Sequence, residues 1–209
     1  MLSAPPSSTP ARRVDAIVIG ASAGAVEALS QLLPALPAQL RTPVIIVVHV
    51  PANRASLLAE LFSSKCALRV REAEDKLAVS EGTVWFAPSG YHLLIERDHS
   101  FSLSVDEPVN YSRPSIDVLF ESAAHAYGER LLALVLTGAN QDGAEGAAVI
   151  HQRGGLVAVQ DPATALVATM PQLCIERSTP DFVGSLSALL DFACAQALEK
   201  PRGTPPEQP

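Results

Sequence analysis

The chain has 209 residues and a formal net charge of −7 at pH 7, which suits one domain with a full core and is short for two ordinary ones. The acidic balance, with no basic run longer than Arg12-Arg13, argues against a nucleic-acid partner, and 48% hydrophobic against 18% charged residues excludes a mostly disordered chain. No stretch approaches the roughly 18 apolar residues of a membrane span, no secretory signal opens the chain, and Cys66, Cys174 and Cys194 suit neither a disulfide framework nor a zinc site, so a cytoplasmic location without membrane insertion is expected.

Pro5, Pro6 and Pro10 sit among serines at the front, and Pro201, Pro205, Pro206 and Pro209 close the chain. Residues 1–13 and 199–209 are therefore expected to be disordered tails around one folded domain, residues 14–198. Within it, strand-like and helix-like patterns alternate. Residues 14–19 form a short β-branched run, followed by small residues and by Val26, Leu29, Leu32 and Leu33 at helical spacing. Residues 44–48 are continuously β-branched, the mark of a strand buried on both faces. Leu57, Leu58, Leu61 and Phe62 make a helical stripe, and residues 67–70 read as a further strand.

Residues 83–86, 91–95 and 101–105 lie close together between turn residues, and predict an antiparallel meander inserted between two α/β halves. Pro114 then opens a helix with Ile116, Leu119, Phe120, Ala123 and Ala124 on one face. Residues 131–136 form a strong buried strand, 143–150 a helix and 156–159 another strand, and a last helix starts from a Ser185 cap. The alternation implies an α/β fold: a doubly wound, mainly parallel sheet with helices on both faces.

Such sheets bind ligands at the carboxyl ends of their strands. Three strong strands lead directly into Gly20-Ala21-Ser22-Ala23-Gly24, into His49, and into Thr137-Gly138-Ala139-Asn140-Gln141-Asp142. A serine, a histidine and an aspartate thus leave one edge of one sheet. The glycine-flanked Ser22 fits a nucleophile on a sharp strand-to-helix turn, although a serine there is also a good helix cap. His49 is placed to be its general base. Asp142 could orient that base, or with Glu145 form a capping arrangement for the next helix; both readings stand on the sequence. A dinucleotide site is disfavoured, because the second strand ends without an acidic residue and the glycine spacing is incomplete. His92, His99, His125 and His151 show no metal-ligand spacing, so neither cofactor nor metal is expected.

Taken together, Gly20-Ala21-Ser22-Ala23-Gly24-Ala25-Val26-Glu27, His49-Val50-Pro51, Ala87-Pro88-Ser89-Gly90-Tyr91-His92-Leu93, Val109-Asn110-Tyr111-Ser112-Arg113-Pro114-Ser115-Ile116-Asp117, Thr137-Gly138 and Asp142-Gly143-Ala144 resemble the catalytic domain of the CheB family of chemotaxis protein-glutamate methylesterases. The resemblance implies Ser22 as nucleophile, His49 as base and Asp142 as orienting acid, with an oxyanion held by the N–H groups of Ala23 and Ala139. It implies hydrolysis of γ-glutamyl methyl esters on a chemoreceptor's cytoplasmic domain, and deamidation of receptor glutamines. The chain departs from the family's usual residues at Ala23, Ala25, Val48, Val50, Ala139, Asn140 and Thr169. With only about a dozen residues ahead of the first strand, a receiver domain is not expected, and regulation would be absent, supplied by a separate chain, or replaced. The competing expectation is a non-catalytic protein that docks receptors or a signalling partner on the same fold.

Overall fold

The computed structural model describes residues 13–49 and 57–198. The two expected tails lie outside the described residues except for Arg13. Among the described residues seven strands form one parallel sheet: β1 (Ala16–Ala21), β2 (Val44–Val48), β3 (Arg69–Glu72), β4 (Thr83–Phe86), β7 (Leu131–Val135), β8 (Leu156–Gln160) and β9 (Phe182–Gly184), in the order β3-β4-β2-β1-β7-β8-β9. β5 (His92–Ile95) and β6 (Phe101–Ser104) pair as a separate antiparallel hairpin. Among the described residues six α-helices accompany them: α1 (Ala25–Leu32), α2 (Leu58–Ser63), α3 (Ile116–Tyr127), α4 (Ala144–Gln152), α5 (Thr169–Ser178) and α6 (Leu186–Ala197).

The doubly wound α/β architecture agrees with the sequence; the three-strand meander does not. Thr83–Phe86 is fully buried and pairs in parallel with both β2 and β3. Among the named strands of the described residues, β5 and β6 alone pair antiparallel. The physical reason is burial: Val84, Trp85 and Phe86 fill both faces of the sheet, which a hairpin with one wet face cannot offer. The expected strand at 67–70 lies two residues later, at Arg69–Glu72. Of the apolar residues at helical spacing, Val26, Leu57 and Leu61 are exposed, at 48%, 66% and 37%. Helix α1 buries Ala25, Ala28, Leu29 and Leu32 instead.

Alternation along β1 divides the core. Ile17, Ile19 and Ala21 face a cluster with Leu29, Leu32, Phe62 and Leu189; Ala16 and Val18 face one with Phe101, Leu119, Phe120 and Ile150. Strand order runs away from β1 in both directions, so the chain reverses between β1 and β7. That reversal opens a crevice at the carboxyl ends.

Helices α3 and α4 meet beside this crevice through a glycine. A Cβ at Gly146 would lie 2.6 Å from Phe120 Cβ and 3.1 Å from Asp117 Cα. Alanine is the better helix former by about 1 kcal/mol, but overpacking a tight contact costs about 1–3 kcal/mol. The contact wins, so Gly146→Ala should lower the urea midpoint, and an unchanged or raised midpoint would show that the helices can separate freely.

Candidate active site

Ser22 stands in the turn that joins β1 to α1. Its N–H donates to Thr137 O at 2.9 Å, and Thr137 Oγ1 donates to Ala23 O at 2.8 Å, so the turn is tied to the end of β7. Gly24, at φ 85°, makes the sharp entry into α1. His49 directly follows β2 and its N–H donates to Ala21 O at 3.2 Å. Asp142 lies in the loop between β7 and α4. The three residues that the sequence places at one sheet edge therefore meet across the crevice. His49 Nδ1 is 3.2 Å from Ser22 Oγ, and Nε2 is 2.7 Å from Asp142 Oδ2.

Asp142 is fully buried, and its two oxygens are saturated with donors. Oδ1 accepts from Ser115 Oγ (2.8 Å), Asn110 Nδ2 (3.1 Å) and the N–H of Asp117 (3.2 Å). Oδ2 accepts from the N–H of Ile116 (2.6 Å) and from His49. Burial pushes this carboxyl's pKa up, but bonds from His49, Ile116, Ser115 and Asn110 outweigh it and hold the group below the usual carboxylate range. An ionised carboxylate can only accept, so His49 carries its proton on Nε2. Nδ1 is left to accept from the Ser22 hydroxyl.

The capping arrangement of Asp142 with Glu145 is not formed. Helix α4 starts from Gly143, which has no side chain of its own to cap with, and Glu145 instead accepts from Arg177 Nη1 at 2.9 Å. Asp142 does cap a helix, but it is α3, through the amides of Ile116 and Asp117. Capping and bonding to His49 are compatible because the two oxygens divide the donors. The acceptor for α4 is Asp117, whose Oδ1 takes the N–H groups of Gly143 (2.9 Å) and Gly146 (2.7 Å).

Sequence reasoning missed the supporting residues. Asn110, Ser115 and Asp117 stood in the quoted motif without a role of their own. His92, which the sequence offered only as a histidine without metal-ligand spacing, is buried; Nδ1 accepts from Ser115 N–H at 3.2 Å and Nε2 donates to Glu107 O at 3.1 Å. The signal for Ser115 was its position one residue ahead of a helix, although its hydroxyl donates to Asp142 rather than capping.

Burial pushes the Asp117 carboxyl up to about 7, opposed by the Gly146 N–H and reinforced by the charge of Asp142. A folded-state pKa above the unfolded value gives stability that is full below about 4 and is lost as pH rises toward 7. Asp117→Asn removes this titration. Relative to the parent, its unfolding midpoint should improve between pH 5 and pH 7 and level off above that, and a difference independent of pH would refute the assignment.

The amides of Ala23 and Ala139 have no acceptor among the described residues, whereas those of Ser22, Ala25 and Gly138 are all engaged. Beside Ser22 and His49 lies a hollow of about 450 Å³ walled by Val26, Val48 and Leu58, with Glu27 at its side. A larger one, about 660 Å³, lies at the opposite edge near Asp15, Thr42 and Tyr127, away from the serine and histidine. Among the described residues no cluster of His, Cys, Asp or Glu is arranged to hold a metal ion, and no helix is long and apolar enough to cross a membrane.

The CheB methylesterase family model matches residues 17–192. The chain belongs to the CheB methylesterase family. A Leptospira interrogans protein, provisionally named protein-glutamate methylesterase/protein-glutamine glutaminase, is 46% identical over 178 residues, covering 85% of this chain and 92% of that protein. The protein-glutamate methylesterase/protein-glutamine glutaminase of Trichodesmium erythraeum is 37% identical over 182 residues, covering 86% of this chain but 52% of the relative. Against that second CheB relative, then, the chain spans about half the length. The Thermotoga maritima CheB methylesterase catalytic domain superposes with a TM-score of 0.82 at 32% identity, covering 86% of this chain and 96% of that one.

Proposed function

We propose that this chain is a cytoplasmic serine esterase that removes methyl groups from γ-glutamyl methyl esters on the cytoplasmic domains of chemoreceptor-type proteins. The observation that carries the reading is the Ser22–His49–Asp142 relay at the switch point, with contacts of 3.2 and 2.7 Å, in a member of the CheB methylesterase family. Ser22 Oγ attacks the ester carbonyl while its proton passes to His49 Nδ1. Asp142, held ionised by its donors, stabilises the imidazolium through Nε2. The oxyanion is received by the N–H groups of Ala23 and Ala139. Methanol leaves with the proton from His49, and a water activated by the same nitrogen releases the receptor glutamate and restores Ser22. With a glutamine side chain, ammonia leaves by the same steps, which accounts for a protein-glutamine glutaminase activity.

The test is methanol release from a methylated chemoreceptor cytoplasmic fragment by the purified chain, run beside labelling of Ser22 with a fluorophosphonate. Release together with labelling is the expected result. No release and an inert Ser22 would favour a receptor-docking protein on the same fold.

A further inference from the structure

Behind His49 the two buried carboxyls are built into each other's supports. Asp142 precedes α4 and caps α3; Asp117 lies on α3 and caps α4. Asn110 stands between them, its Nδ2 donating to Asp117 Oδ2 at 2.8 Å and to Asp142 Oδ1 at 3.1 Å. The amide oxygen of Asn110 accepts in turn from Gln141, the neighbour of Asp142, at 3.1 Å. Asn110 and Tyr111 both have positive φ, 50° and 61°, in a turn closed by paired backbone bonds between Val109 and Ser112. Asn tolerates such a φ and Tyr111 does so less readily, and the Asn110 bridge fixes the turn's orientation.

We propose that Asp117 is a positioning residue for ester hydrolysis, anchoring the start of α4 and the Asn110 bridge so that Asp142 Oδ2 stays directed at His49 Nε2. The inference rests on the triad reading given above. Among the described residues Asp117 makes no hydrogen bond to Ser22 or His49, so it acts only through Asp142. Without its Oδ1, the amides of Gly143 and Gly146 lose their acceptor next to the residue that must not move. The groups that face it are Asp142 and Asn110 from the neighbouring loops, the two glycine amides of α4, and Cys174 of α5, whose thiol burial pushes up to about 11 and keeps neutral. Its own retention of a proton toward neutral pH keeps a second full charge away from Asp142.

Two variants of the full chain separate positioning from mere support of the fold. Asp117→Ala removes the acceptor altogether, and kcat on a methylated receptor fragment should fall about tenfold to a hundredfold, the scale of a small misplacement, with KM moving less than about threefold. The rate of Ser22 phosphonylation should fall in parallel. Asp117→Asn keeps an oxygen for Gly143 and Gly146 but turns a nitrogen toward Asn110, so the loss in kcat should be only about threefold to tenfold. Circular dichroism at the assay temperature corrects each rate for the folded fraction. Parental kcat and phosphonylation in folded Asp117→Ala, or in Asp117→Asn should the alanine variant not fold, would overturn the proposal. So would a loss carried wholly by KM. If the parent itself neither labels nor hydrolyses, the triad reading fails first; a reactive parent with unaffected variants sinks only the role of Asp117.

Discussion

Ser22→Ala should abolish methyl-ester hydrolysis, by roughly 10⁴–10⁶-fold in kcat, while leaving the folded chain almost untouched. The size follows from the chemistry: without Oγ no acyl-enzyme forms, and what remains is water attack helped only by binding and the oxyanion donors. The small structural cost follows from the contacts. The Ser22 N–H keeps its bond to Thr137 O, and among the described residues the one side-chain bond lost is the 3.2 Å contact with His49 Nδ1. That nitrogen faces the crevice, so water can replace the hydroxyl and the stability change should stay within about 1 kcal/mol. Paired measurements of methanol release and urea midpoint test both halves. Substantial hydrolysis by the folded variant would remove Ser22 from the nucleophile's role.

Much of the scaffold was legible because buried parallel strands announce themselves. Val44–Val48 and the run beginning at Leu131 are continuous apolar stretches, and both occupy the centre of the sheet. Thr83–Phe86 has the same apolar character but is four residues long and lies near two hairpin strands, so proximity in sequence misdirected its pairing. Nothing in a single short run says which neighbour it will find. Helix α5 escaped notice because Pro171 and polar residues blur its period, and β9 because three edge residues, two half-buried and Val183 exposed, carry almost no pattern.

The site divides along the same physical line. Ser22, His49 and Asp142 were legible because each follows a strand that could be recognised, and strand ends of one sheet share an edge. Their support was not. Asp117 caps a helix through Gly143 and Gly146, more than 25 residues away, and Asp142 returns the favour through Ile116 and Asp117. Capping rules read from sequence look three residues ahead. An exchange between two helices is visible only once α3 and α4 are packed together.

That exchange changes what Asp142→Asn should do. At an ordinary helix start Asn replaces Asp with little loss. Here both oxygens accept, with three donors on Oδ1 and two on Oδ2. Whichever oxygen becomes an amide nitrogen will confront groups that can only donate, or hydroxyls forced to turn. Leaving such buried donors unpaired costs about 1–3 kcal/mol. If the nitrogen faces His49, the imidazole must accept at Nε2 and carry its proton on Nδ1, where it can no longer take one from Ser22. If the nitrogen faces Ser115, the orientation survives but the charge that stabilises the imidazolium is gone. Either way turnover should fall about 10²–10⁴-fold. The stability loss should also depend on pH with a definite sign. The folded-state pKa of Asp142 lies below its unfolded value, so its contribution is complete above about 4 and fades as pH falls through the folded value. The gap in urea midpoint between parent and Asp142→Asn should therefore be widest near pH 6–7 and narrow below pH 4. A gap that stays constant into acid would mean that the carboxylate's charge is not what the five donors hold, and an active variant at neutral pH would leave Asp142 as a helix cap alone.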